Sequence, residues 1–462
     1  MMRAIRVTSG LSFIAGIAAL AMAGCHHDEQ ACDPVALTGC TDGTVCEEVE
    51  GADPACFAPL FVRGQVFSLA DDGAIAGARV VGIDANGSPL GAVAVTDAAG
   101  AYDLAVPTRR QADGTPVGAD FTLRADAAGF QTFPSGVRQP LPVDSGAAAL
   151  VDGDLVVQSA LTDIGLIPLP AGAGTGIIRG TVEVPVDHAG ALVVAEGPTA
   201  GTAIADREGD YAIFNLEPGG YTVTAYARGV NYDSASPTLA AGQTLDVDLA
   251  INDLQAGTVS GTIQIVNAPG GAKTSVILVV EGTFDERLAR GETPPGLRAP
   301  DAGLPPDVSG AYTITGVPAG RYVVLAAFEN DGLVRDPDLS IGGTSILHVQ
   351  VTAGQTTTVD GFKVTEALKV LGPGATGPEQ VTSAPTLSWK DDSSEDEYEI
   401  TVFDAFGNEV WTATEPRHTG DNPAVAYGGP LEAGMYYQFR VTSFKSGVPI
   451  SRTEDLLGVF YR

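Results

Sequence analysis

A six-residue cassette, Asp-x-x-Gly-x-Tyr, occurs three times along the chain: as Asp97, Gly100 and Tyr102, as Asp206, Gly209 and Tyr211, and as Asp307, Gly310 and Tyr312. The copies lie about one domain length apart, which is the period of tandem modules and not of a solenoid turn. Each residue type has a reason to be there. Asp accepts backbone amides at a tight turn, Gly reaches positive φ without a Cβ clash, and Tyr opens the alternating strand that follows. Each copy is also preceded by a glycine between apolar residues, in Val62-Arg-Gly64-Gln-Val66, Ile178-Arg-Gly180-Thr-Val182 and Val259-Ser-Gly261-Thr-Ile263. Farther on, Tyr221, Val223 and Ala225 fall on one face by the two-residue strand period, as do Tyr322, Val324, Ala326 and Phe328. The pattern predicts tandem modules of half-buried β-strands.

Composition limits what such modules can do. The chain has 462 residues, 44% of them hydrophobic, enough for about three to four domains with separate cores. With 57 acidic and 25 basic residues the formal net charge is −32. A field of that sign repels phosphate backbones and anionic headgroups, so nucleic acid is excluded as a partner.

The first segment reads as an export address. Arg3 and Arg6 precede an apolar run from Leu11 to Ala23 that is too short to cross about 30 Å of hydrocarbon, so residues 1–24 are predicted to be a signal peptide. Leu20-Ala-Met-Ala-Gly-Cys25 resembles the lipobox of bacterial lipoproteins. That resemblance implies cleavage before Cys25, lipidation of Cys25 and anchoring to a membrane. Because His26 and not Asp follows, it also implies the outer membrane, facing the periplasm or the cell surface. Met22 stands where the family usually has Leu, which keeps ordinary signal-peptidase cleavage as the alternative. The other cysteines, Cys32, Cys40, Cys46 and Cys56, form an even set in an oxidising compartment and are expected to make two disulfides, with three connectivities open. Zinc is the competing reading, without a Cys-x-x-Cys pair in its favour. Residues 25–58 are thus expected to be a lipid-anchored, Cys-rich stalk.

The recurrent openings, together with Gly77-Ala78-Arg-Val-Val81, resemble the carboxypeptidase regulatory-like domain, a resemblance that implies an all-β chain of tandem antiparallel β-sandwich modules, each a prealbumin-like sandwich of about seven strands. It divides the chain into modules at 59–170, 175–254 and 257–365. Pro134 to Ala160 reads as an irregular excursion of the first module, and Thr283 to Pro306 as a long surface loop of the third. Residues 366–462 resemble a fibronectin type III module, one of the immunoglobulin-like sandwiches, through Pro385-Thr-Leu-Ser-Trp389, Tyr398-Glu-Ile-Thr-Val402 and Leu431 to Val441. The resemblance implies that Trp389 is a core residue and Tyr437 the tyrosine-corner residue. Asp391 to Glu397 reads as a solvated acidic run, with weak calcium capture as its alternative. The Gly-rich runs at Gly172–Gly176 and Gly372–Gly377 read as hinges between modules.

No catalytic residue is predicted. The five histidines are His26, His27, His188, His348 and His418, and the one His-x-x-Glu match, His26 to Glu29, lies in the tether. Asp187-His188 sits in a Pro/Gly-flanked connection and reads as loop surface. Gly372-Pro-Gly-Ala-Thr-Gly377 satisfies the dinucleotide fingerprint in form, but Pro378 and a strand pattern follow where a helix N-terminus is needed. No cofactor and no metal are expected. Trp411 is the candidate carbohydrate platform, and Tyr226 and Tyr232 are weaker ones. The sequence therefore points to a non-enzymatic cell-envelope lipoprotein, a structural or interaction protein with a protein or polysaccharide ligand. The alternative is a carbohydrate-binding array assisting a separate enzyme.

Overall fold

The computed structural model describes residues 32–34, 39–41, 43–85, 87–136, 138–170, 174–183, 190–266, 272–286, 290–301, 304–327, 333–335, 346–392, 395–418 and 422–462. The leader, Cys25, His26, His27, Gly172, Asp187, His188, Phe328, Ser393 and Ser394 lie outside the described residues. The regular elements described are strands, with two short 3-10 helices at Ser145–Ala147 and Glu281–Thr283. The fold is all-β, built as a series of sandwiches.

Each of the first three sandwiches is organised by its opening strand. Leu60–Ser68 pairs antiparallel with Ala101–Val106 and parallel with Asp154–Val157 and Ile164–Leu166. Gly176–Thr181 likewise takes Asp210–Leu216 antiparallel and Thr244–Asp246 parallel. Gly257–Val266 takes Ala311–Val317 antiparallel and Thr356–Thr358 and Phe362–Glu366 parallel. Parallel pairing beside the opening strand is thus a repeated feature of these three sandwiches, and it arises because the chain crosses the opposite sheet before returning beside that strand. The facing sheets centre on Arg79–Asp84, Ala191–Glu196 and Ser275–Val280. In the last sandwich Glu397–Asp404 and Tyr436–Lys445 form the middle of one sheet, and Val370–Gly372, Thr386–Trp389 and Ala424–Ala426 form the other.

The sandwiches are stacked instead of strung out. Ala191–Glu196 sends Ala191, Val193 and Ala195 into its own core, while Leu192 and Val194 join an apolar cluster with Val276, Leu278 and Val280 of the third sandwich and Val81 of the first. Ser275–Val280 is buried at every residue. Such uninterrupted apolar runs belong to strands covered on both faces.

Several sequence expectations are corrected here. The Thr283–Pro306 run is not a surface loop: its Arg298–Ala299 segment pairs with Ser275–Val280, and Leu297 and Arg298 are buried. The 134–160 run is not irregular, because Val143–Asp144, Ala149–Val151 and Asp154–Val157 complete the sheets of the first sandwich. Gly372–Gly377 is not a free hinge: Val370–Gly372 is a strand, Gly374 N donates to Glu379 Oε2 at 3.0 Å, and Gly458 N donates to Gly374 O at 2.9 Å.

At the N-terminal end, disulfides join Cys32 to Cys46 and Cys40 to Cys56. The short ladder of Val45–Glu47 with Ala55–Phe57 that they clip is docked on the first sandwich. Glu47 and Arg110 form an ion pair with side chains 0% and 2% exposed. Burial pushes the Glu47 carboxyl up, and its bonds to Arg110 and to Thr108 N work against that shift. The Arg110 guanidinium also donates to Ala58 O and lies over the Phe57 ring.

Candidate functional site

The cassettes do not converge on one another; each sits in its own sandwich. Asp97 Oδ1 accepts the amides of Ala99 (2.8 Å) and Ala101 (3.0 Å), and Gly100 has φ 76°. Asp206 Oδ1 accepts Asp210 N at 2.7 Å, and Gly209 has φ 90°. Both glycines occupy the left-handed region that side chains avoid. The third copy differs: Asp307 pairs with Lys273 Nζ, and Gly310 is absent from the positive-φ glycines. One bond is kept in all three copies, because Val66, Val182 and Ile263 donate to the carbonyls of Gly100, Gly209 and Gly310 at 2.8, 2.9 and 2.9 Å.

The two repeated sequence signals are cross-strand partners. Gly64 is paired with Tyr102, Gly180 with Tyr211 and Gly261 with Tyr312. Tyr102 OH donates to Thr162 O at 2.5 Å and Tyr211 OH to Val247 O at 2.6 Å, in each case reaching a chain segment on the other side of the opening strand. A Cβ at Gly64 or Gly180 would penetrate those same carbonyls, so glycine keeps the site open for the phenol. Burial pushes both phenols up, with Asp163 and Asp248 adding to the effect. Tyr312 fills the same position against Gly261, but its hydroxyl is buried without a hydrogen-bond partner.

The aromatic candidates are used in packing. Trp411 lies half-buried on the outermost strand of its sheet, its ring edge-on to Tyr427 at 5.4 Å. Tyr226 meets Tyr322 edge-on at 6.1 Å across the seam between the second and third sandwiches, and Tyr232 is buried with its hydroxyl on Glu183 O. Trp389 is 0% exposed, and Tyr437 OH accepts Glu432 N at 3.0 Å. In the acidic run, Asp391 accepts from Tyr398 OH, Asp392 from Ser443 OH and Asp396 from Ser446 N, so these carboxylates brace the loop. Among the described residues, the group whose ligand atoms come together as a metal site would need is Cys32, Cys40 and Cys56, and those sulfurs are in disulfides.

Sequence reasoning missed the arginines at the seams. Arg124 of the first sandwich donates to Asp126, to Thr202 Oγ1 of the second sandwich at 2.9 Å and to Glu292 of the third at 2.5 Å. Its burial opposes the charge, but Asp126 and Glu292 outweigh that and hold the guanidinium above its ordinary range. Arg79 bridges to Asp210 O and to the cassette carboxylate of Asp206, and Arg298 reaches back to Asp84. Arg228 ties the second sandwich to Asp301 and Thr315 of the third. Their visible signal in the sequence is an arginine at an outward strand position, as in Phe121-Thr-Leu-Arg124, where a solvated face usually carries mixed polar residues.

At the junction of the first, third and last sandwiches the seam opens into a cavity of about 360 Å³. Arg124, Arg138, Arg290 and Arg440 line it, four of the chain's 25 basic residues, together with Asp455 and Thr293. Arg290 and Arg440 both pair with Asp455, and Arg440 and Arg290 also donate to Gln139 Oε1 at 3.3 Å. Ile277, Val279 and Leu325, on the outer face of the third sandwich, give it an apolar wall.

No curated protein matches the sequence. Among solved structures, the chain is similar to the TIE protein of Bacillus anthracis at 11% identity and TM-score 0.15, covering 86% of this chain and 72% of that one. It is similar to the minor pilin GBS52 of Streptococcus agalactiae at 15% identity and TM-score 0.19, covering 43% of this chain and 99% of that one. A DUF3823 family protein from Bacteroides ovatus is similar at 10% identity and TM-score 0.21, covering 44% and 98%. Superpositions this loose carry no argument about role. The sequence of the second sandwich is more specific: residues 177–252 match the carboxypeptidase regulatory-like domain.

Proposed function

We propose that the chain is a non-catalytic envelope lipoprotein, anchored through Cys25 in the outer membrane, that carries one stacked multi-sandwich body as a structural or adhesive element. The observation that supports this most directly is the docking of the segment following the lipid site. Two disulfides and the buried Glu47–Arg110 pair tie it to the first sandwich, so the tether leads into a braced body and not into a loose arm. The seams described above extend that bracing to the last sandwich. The described histidine–carboxylate pairs, His348 with Glu281 and His418 with Glu415, lie on different sandwiches, and neither imidazole has a hydroxyl or thiol partner of the kind nucleophilic catalysis uses.

The test is fractionation with intact mass. The mature wild-type chain is expected in the outer-membrane fraction, beginning at a lipid-modified Cys25 with its other four cysteines oxidised, and Cys25→Ala is expected to be lost from that fraction. A Cys25→Ala protein that remains membrane-bound, or a wild-type N-terminus without lipid, would overturn the anchoring. Protease treatment of intact cells separates the two faces of the membrane, since only a surface-exposed body is cleaved.

A further inference from the structure

We infer that the cavity between the first, third and last sandwiches binds a small organic carboxylate with an apolar body, its charge received by Arg138 and Thr293. Arg138 is 5% exposed. Its Nη2 donates to Phe406 O at 2.7 Å and Gly165 O at 2.6 Å, its Nε donates to Phe406 O at 3.2 Å, and the guanidinium lies over the Phe133 ring at 4.6 Å. The remaining nitrogen, Nη1, is buried with no hydrogen-bond partner. Among the described residues, Arg138 is the cavity arginine with no carboxylate in ion-pair contact: Arg124 has Asp126 and Glu292, and Arg290 and Arg440 have Asp455. Asp404 acts on it from beyond bonding distance, with its oxygens engaged by Phe406 N, Asn408 N and Asn408 Nδ2. A buried guanidinium without a counter-ion is costly, and a bound anion removes that cost.

A second unpartnered polar atom belongs to another residue lining the cavity. Thr293 is 1% exposed, and its Oγ1 has no partner. A carboxylate offers acceptors to both groups, whereas the wall formed by Ile277, Val279 and Leu325 offers no hydrogen bond and favours an apolar body. Inorganic phosphate meets the charge and wastes the wall, and an alcohol does the reverse. Such a ligand touches the first and third sandwiches at once, so its binding also stiffens the stack.

Calorimetry of the full chain with octanoate, octanol and inorganic phosphate tests this. Octanoate is expected to bind at one saturable site, with octanol and phosphate each roughly tenfold weaker or more. Thr293→Val, which keeps the volume, is expected to weaken octanoate by roughly fivefold or more, and Arg138→Met to abolish it. Because Arg138 also holds Phe406 O, loss of folding in that variant is answered by Ile277→Phe, which fills the apolar wall and leaves both polar groups in place. Octanoate binding that survives both Thr293→Val and Ile277→Phe overturns the proposal. So does octanol matching octanoate, or no heat at millimolar octanoate.

Discussion

The inside of a sandwich is held by apolar packing, whereas the seams between sandwiches add guanidinium bridges to the apolar faces that Leu192, Val194, Val276, Leu278 and Val280 bury. Inside, the work is apolar: Val193 and Ala195 share the core face of one sheet with their cross-strand partners Ala225 and Val223, Tyr221 packs in the same core with no charge among them, and a tyrosine hydroxyl on a backbone carbonyl closes the edge. At the seams guanidinium groups reach across, taking backbone carbonyls and carboxylates from two partners at once. The difference follows from what each surface faces during folding. A sandwich core is desolvated as its two sheets collapse and needs only shape and burial. A seam also brings together polar strand edges and their carbonyls, and the planar five-donor fork of arginine satisfies several of them with one side chain.

The largest effect is expected where an arginine docks the N-terminal segment on the first sandwich. Arg110→Met leaves Glu47 buried without its counter-ion, and a loss of about 3–5 kcal/mol is expected for the docking of the N-terminal segment. It would be read as early proteolysis within residues 32–58 ahead of global unfolding. Adding Glu47→Leu should recover most of that loss, because an apolar pair can replace a buried ion pair at little cost. If the single variant docks as well as wild type, the contact between this segment and the first sandwich is not held by charge.

An interior change should cost somewhat less. Gly180→Val forces a side chain against Val247 O, where Tyr211 OH also binds, and about 2–3 kcal/mol of destabilisation is expected in chemical denaturation. The effect should appear as a lowered midpoint for the second sandwich.

The smallest effect sharpens the contrast within the repeats themselves. Tyr211→Phe removes a buried hydrogen bond and leaves Val247 O without this donor, for a loss of about 1 kcal/mol. Tyr312→Phe removes a hydroxyl that has no partner and should be neutral or slightly stabilising by the same measurement. Equal losses at the two sites would mean that the hydroxyl bond does not distinguish these copies.

The cassettes and opening glycines were legible because each acts locally, through a turn or a two-residue period. What joins them was not, because the distance from Gly180 to Tyr211 along the chain says nothing about their adjacency across strands. The stacked faces had a sequence signature in Ala191–Ala195 and Ser275–Val280, whose unbroken apolar runs differ from half-buried strands, but an apolar run does not name its partner. Prolines and glycines in Thr283–Pro306 and Gly372–Gly377 suggested loops and hinges, and tertiary contacts instead absorbed both segments into sheets. The junction cavity was wholly hidden: Arg138, Arg290, Arg440 and Thr293 come from distant parts of the chain, and none carries a motif.

By itself the sequence determined that this chain makes β-sandwiches, how many copies of the repeat there are and where their turns and tyrosines fall, since backbone conformation and side-chain period are set by neighbours along the chain. Only the tertiary structure decided that the sandwiches stack, that the cysteines pair 32 with 46 and 40 with 56, and that one buried arginine faces the junction without a carboxylate. Those outcomes depend on which surfaces meet, and the free energy of meeting resides in contacts between residues that no local rule relates.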